Sequence, residues 1–207
     1  MSSFLTLWIS TLGVIFAIID PFGYVPIFLT MTAKDSEEQR RKMLRKACVT
    51  AFLVLTGSAF LGNGLLKFFG ISIPALQISG GIILLVIGLE MVKVIPTPEK
   101  ITPMEENEGR DKEDISIIPL AIPMLSGPAS IASVVILSAK GEGLDLYGAI
   151  ILSIVVTLGF TYVILRSASR IFKKVGVTGL NVMTRIMGLL LSAMAVQFVI
   201  DGYLGVR

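Results

Sequence analysis

Histidine is absent from this 207-residue chain and cysteine occurs once, at Cys48. Without histidine the chain lacks the commonest metal ligand and the side chain that most readily serves as a general base at neutral pH. A single cysteine excludes an intramolecular disulfide. Charge is also scarce: Asp, Glu, Lys and Arg make up 16% of the residues, and no Lys or Arg precedes Lys34. An N-terminal stretch without a basic region does not read as a signal peptide, so the first segment is expected to stay in the mature protein. There is no nucleotide-binding loop, no metal-ligand constellation and no nucleophile with a base, and Gly62-Asn63-Gly64 is too short to cradle a phosphate. No catalytic residue, metal or cofactor is expected. The net charge of +3 carries no nucleic-acid reading, because topology accounts for the basic residues.

What the chain has in abundance is apolar length. Hydrophobic residues make up 54% of it, gathered into six stretches at roughly 4–32, 47–69, 73–95, 115–139, 144–165 and 181–204. Each holds about 20 residues or more, enough to cross a hydrocarbon core of roughly 30 Å. Buried helices of soluble proteins are shorter and alternate with amphipathic ones, so the pattern reads as an all-α membrane protein with six transmembrane helices. The first stretch exceeds one straight span, and a break near Asp20-Pro21 would absorb the excess.

Basic residues sort to alternate connections. Lys34, Arg40, Arg41, Lys42, Arg45 and Lys46 fall in one, Lys93, Lys100, Arg110 and Lys112 in the next but one, and Arg166, Arg170, Lys173, Lys174 and Arg185 in a third. The opposite side receives only Lys67, Lys140 and Arg207. The positive-inside rule makes those three connections cytoplasmic and puts both termini outside, as in a multi-pass cell (inner) membrane protein.

Pro96 to Asp114 is the one polar linker, with three prolines, seven acids and three bases. It divides the chain into a first three-helix unit at 1–95 and a second at 115–207. The units align at a nearly constant offset: adding 107 takes Pro21 to Pro128, Gly81 to Gly188 and Glu90 to Gln197, and adding 106 takes Lys67 and Gly70 to Lys173 and Gly176. A shared offset over the same three-span pattern reads as a duplication. With three spans per half the second copy must be inverted, the 3+3 inverted repeat of many secondary transporters.

Five of the nine prolines (Pro21, Pro26, Pro119, Pro123 and Pro128) fall in spans one and four. Proline removes a backbone donor and clashes with the preceding turn, so helices 1 and 4 are expected to be broken. A matched pair of interrupted spans is the best sequence pointer to a transporter's binding site. Asp20, Pro21, Phe22, Gly23 and Tyr24 at the first break, with Ser126, Gly127 and Pro128 at the second, are therefore the candidate substrate site. Asp20 is the one ionisable residue near the middle of a span. It reads either as the N-cap of a second half-helix with Pro21 at its first position, or as a direct contact for a ligand's ammonium group or a cation. At Ser126-Gly127-Pro128 a small, flexible break followed by proline is expected to expose amides at a helix N-terminus, where the dipole favours an anion such as a carboxylate. Together the breaks suit a small zwitterion, while the bland reading makes both prolines packing kinks.

Gln77, Ser79 and Thr157 are candidate cavity lining, although small residues beside Gln77 and Ser79 also favour plain helix packing. Asp20 and Glu90 are the candidates for ion coupling, with H+ or Na+ as the ion. Glu90 also has a structural reading, paired with Lys93 or reaching toward the interface.

Asp20-Pro21-Phe22-Gly23-x-x-Pro26, Leu125-Ser126-Gly127-Pro128 and Gln77-x-Ser79-Gly80-Gly81 resemble the hallmarks of the MarC-related integral membrane proteins, which include the SnatA-type neutral amino acid transporters. The similarity spans essentially the whole chain. It implies transport of glycine, alanine and similar small neutral amino acids, coupled to a cation gradient, with the substrate between the two breaks. The expectation is alternating access, one half moving against the other. A passive channel or efflux protein for another metabolite and a non-transporting accessory protein are the alternatives. The expected partners are the substrate and the lipid bilayer, with a homo-oligomer left open and no nucleic acid.

Overall fold

The computed structural model describes residues 2–93, 116–139 and 143–206, and every element in them is helical. In chain order they are α1 (Ser2–Ile19), α2 (Tyr24–Met31), α3 (Glu37–Phe68), α4 (Ile73–Lys93), α5 (Ser116–Leu125), α6 (Pro128–Ala139), α7 (Leu144–Arg166) and α8 (Ala168–Gly205). The linker read at 96–114 lies outside the described residues. Four helices (α3, α4, α7 and α8) are each long and apolar enough to cross a membrane. The pairs α1–α2 and α5–α6 pass the same test jointly, bent by 46° and 53° at their breaks. By length and composition the described residues thus hold four candidate spans, or up to six when each bent pair counts as one.

α3 starts ten residues before the apolar stretch that announced it, because its first turns are held by polar contacts. The Gln39 N–H donates to Ser36 Oγ at 3.3 Å and the Ser36 N–H donates to Gln39 Oε1 at 2.8 Å. This capping box satisfies two amides that the helix cannot, and Glu37 and Glu38 in the first turn complement the helix dipole. The other end closes at Gly70, whose φ of +66° is left-handed. Its N–H reaches the Lys67 carbonyl and the Ile71 N–H reaches that of Leu66, the paired bonds of a Schellman end. Gly176, at φ +68° and ψ 177°, interrupts α8, so the stretch expected at 181–204 is the second part of a longer helical run.

Packing follows small residues. Ala47, Ala51, Leu55 and Ala59 recur every fourth position along α3 and are fully buried, forming one stripe of the helix. α3 packs on α5, α6 and α7, while α1 packs on α7. α4 and α8 meet at glycines. A Cβ placed on Gly81 would lie 2.7 Å from the Ala195 carbonyl oxygen and 3.1 Å from the Val199 nitrogen. One placed on Gly188 would lie 2.7 Å from the Gly88 carbonyl oxygen and 3.0 Å from the Val92 nitrogen.

Large apolar side chains face outward instead. Leu53, Phe60, Leu61 and Leu65 of α3, Ile82 and Val86 of α4, Phe160 and Val163 of α7, and Leu189 and Leu190 of α8 are all exposed. A soluble monomer rarely carries so continuous an apolar surface, whereas a bilayer is the solvent it fits.

Candidate functional site

The first break begins where α1 ends. The Asp20 N–H still closes the last turn on the Phe16 carbonyl at 3.0 Å, but Pro21 has no N–H to continue it. Asp20 takes a φ of +41°, and it is fully buried. A left-handed conformation is costly for residues with a Cβ, and Asp is among those that adopt it most readily. The chain then turns through Pro21, Phe22 and Gly23, with the Gly23 N–H on the Asp20 carbonyl at 3.1 Å, and α2 starts at Tyr24. Of the two readings of Asp20, the N-cap of α2 is therefore not the one the structure has. That position belongs to Gly23, three residues later, because the turn that bends the chain intervenes.

The second break has a different cause. Ile118 and Ile122 are extended, at φ/ψ of −124°/121° and −129°/121°, and each precedes a proline. Proline Cδ pushes the preceding residue out of the helical region. The Ser126 N–H and hydroxyl both donate to the Ala121 carbonyl, at 2.9 and 2.8 Å, recovering an acceptor that the broken ladder strands. α6 starts at Pro128, and the Ile131 N–H closes its first turn on the Gly127 carbonyl at 3.0 Å. A Cβ on Gly127 would collide with the Pro123 carbonyl oxygen, so glycine is needed there for space.

The two breaks meet. Tyr24, the first residue of α2, donates its phenol O–H to the Met124 carbonyl at 2.9 Å across a separation of 100 residues. Tyr24, Met124, Leu125 and Ser126 are buried. Phe22 packs edge-on against Phe16, with ring centroids 6.5 Å apart, and Phe16 packs edge-on against Phe160 of α7 at 6.2 Å. The far end of α2 is tied down as well: Arg40 of α3 donates both Nε, at 2.9 Å, and Nη2 to the Thr32 carbonyl. A cation on the last carbonyls of a helix opposes their partial negative charge.

Other candidates are placed with less force. Thr157 is fully buried, and its hydroxyl has no hydrogen-bond partner among the described residues; the same holds for Ser133 of α6. Most other buried hydroxyls back-bond their own helix, as Thr161 does to the Thr157 carbonyl at 2.8 Å. Ser79 is a correction to the expected cavity lining: it is exposed and donates to the Leu76 carbonyl of its own helix at 3.1 Å. Gln77 is buried at the α4–α8 contact, where its Cβ would lie 3.0 Å from one placed on Gly202. Pro128 is exposed at the start of α6. Glu90 carries a buried carboxylate oxygen without a partner among the described residues, and the side chain of Lys93 lies outside them. The Tyr24–Met124 bridge and the Arg40 clamp were not read from the sequence. The first ends on a backbone carbonyl, which no side-chain pattern marks, and Arg40 was read for topology alone.

Helices long and apolar enough to cross a membrane, with two bent pairs that meet at their breaks, mark an integral, multi-pass membrane protein. The chain belongs to the MarC family of integral membrane proteins, whose family model matches residues 5–206. It is 38% identical to a UPF0056 membrane protein of Methanocaldococcus jannaschii, over 92% of this chain and 93% of that protein. It is 35% identical to the UPF0056 membrane protein YvbG of Bacillus subtilis, over 92% and 91%, and 31% identical to YhcE of Escherichia coli, over 93% and 89%. No solved structure matches the chain.

Proposed function

We propose that this protein is a secondary transporter of small neutral amino acids, glycine- or alanine-like zwitterions, coupled to a proton or sodium gradient. The observation that carries the reading is the Tyr24–Met124 bond, which joins the two interrupted helices at their breaks. In this reading the Asp20 carboxylate answers the substrate's ammonium, and the N-terminal end of α6 answers its carboxylate. A proton would ride on Asp20 or Glu90; a sodium ion would use buried hydroxyls such as Thr157 and carbonyls freed at the breaks.

The same reading makes the chain a 3+3 inverted repeat. Three features support it, all at the offset seen in the sequence. Gly70 and Gly176 share a left-handed φ. The contacts of Gly81 with Ala195 and Val199 become, after a shift of 107, those of Gly188 with Gly88 and Val92. α1 packs on α7 as α5 and α6 pack on α3. The halves interleave at these contacts, so one half moving against the other in alternating access would have to repack them. The basic connections are placed in the cytoplasm and both termini outside on the positive-inside rule.

The test is labelled-glycine flux into proteoliposomes under separately imposed proton and sodium gradients. Gradient-driven accumulation by the wild type and none by Asp20→Asn is the expected result. No flux of glycine or alanine under either gradient removes the amino acid assignment.

A further inference from the structure

A cavity of 540 Å³ lies at the end of the helices that carries the basic residues, between the last turn of α2, the start of α3 and the α7–α8 junction. Its floor is apolar, formed by Phe28, Leu29, Leu44 and Leu165. Its rim holds Arg40, Arg41, Arg166 and Arg170 against Glu37 and Glu38. The two acids offset only part of that charge. Glu38 is paired with Lys42 at 2.8 Å, and this bond holds its carboxyl below the usual range. Arg40 spends its donors on the neutral Thr32 carbonyl and keeps its charge. Arg41, Arg166 and Arg170 have no ion-pair partner among the described residues. One side of the cavity is Val163, which is 59% exposed and belongs to the outward apolar face of α7. The cavity is therefore open to the lipid-facing surface and not walled off from it.

We propose that this cavity binds the phosphate headgroup of an anionic membrane phospholipid, with the arginines on the phosphate and the first part of an acyl chain along Val163. Arginine forks match phosphate oxygens in pairs, and basic pockets between spans at the membrane surface suit such headgroups. A site for a soluble anion would have no use for a wall continuous with the lipid belt. The occupied site would brace α2 against α3 and α7, one to two turns past the first break.

Native mass spectrometry of the delipidated protein in detergent, titrated with phosphatidylglycerol or phosphatidylcholine, tests this. Phosphatidylglycerol is expected to bind in preference, and Arg166→Gln/Arg170→Gln to weaken it by about fivefold per arginine, roughly twenty-five-fold together. Lys174→Gln, outside the cavity on the same basic surface, should leave binding unchanged. Arg41→Gln alone, expected to cost about fivefold, keeps the test decisive if the double variant fails to fold. Equal binding of both lipids, an equal loss with Lys174→Gln, or full displacement by inorganic phosphate overturns the proposal.

Discussion

The Tyr24 hydroxyl donates to the Met124 carbonyl at 2.9 Å, so the first residue after one break holds the backbone just before the other. Tyr24→Phe keeps the ring and removes this one bond, leaving a buried carbonyl without its donor. Such an orphan costs about 1–3 kcal/mol. The unfolding midpoint in detergent should fall accordingly, and flux should fall with it as the breaks lose their common register. An unshifted midpoint would mean that water replaces the phenol and that the bridge is dispensable.

Gly127 tests the second break without removing any polar group. Its missing Cβ makes room for the Pro123 carbonyl, and backbone cannot yield as a flexible side chain does. Gly127→Ala should insert into the membrane yet lose most transport, because the α5–α6 angle must change. Gly57→Ala is the control, since a Cβ there meets nothing within 4 Å. Equal flux from the two variants would remove the second break from the site.

Pro21, Pro123 and Pro128 located both breaks, because proline's lost donor acts wherever it stands. Of the two readings of Asp20, the N-cap belongs instead to Gly23, since a tight turn and a cap share the same Asp-Pro signature. The starts of α3 and α8 were drawn too late, because hydropathy ends where charge begins and a capped helix does not. Ser36-x-x-Gln39 carried that information and went unread. Ser79 shows the limit of composition: a polar residue in an apolar span can satisfy itself on its own backbone and face outward.

Asp20 combines two properties that substitution can separate. Asn keeps the shape and tolerates a positive φ, so Asp20→Asn should abolish flux with little change in stability. Alanine loses the carboxylate and also strains at φ +41°, so Asp20→Ala should lose flux and a further 1–2 kcal/mol or so of stability. Asp20→Gly relieves the backbone and should be the more stable of the two. If Asp20→Asn transports as the wild type does, the carboxylate is structural and the ammonium contact must be sought elsewhere.

The α4–α8 contact offers a test of the repeat that does not depend on transport. Gly81 and Gly188 stand in equivalent places, each with its would-be Cβ 2.7 Å from a carbonyl oxygen of the opposing helix. Overpacking such a contact costs typically about 1–3 kcal/mol. Equivalent surroundings should give Gly81→Ala and Gly188→Ala similar losses in unfolding midpoint. Because the two sites lie on the same pair of helices, the double variant should lose less than the sum, as the first substitution already forces the helices apart. Gly64→Ala, with nothing near its Cβ, should change little. Strongly unequal single losses would mean that the two glycines only coincide in number and that the symmetry is not built into the interface.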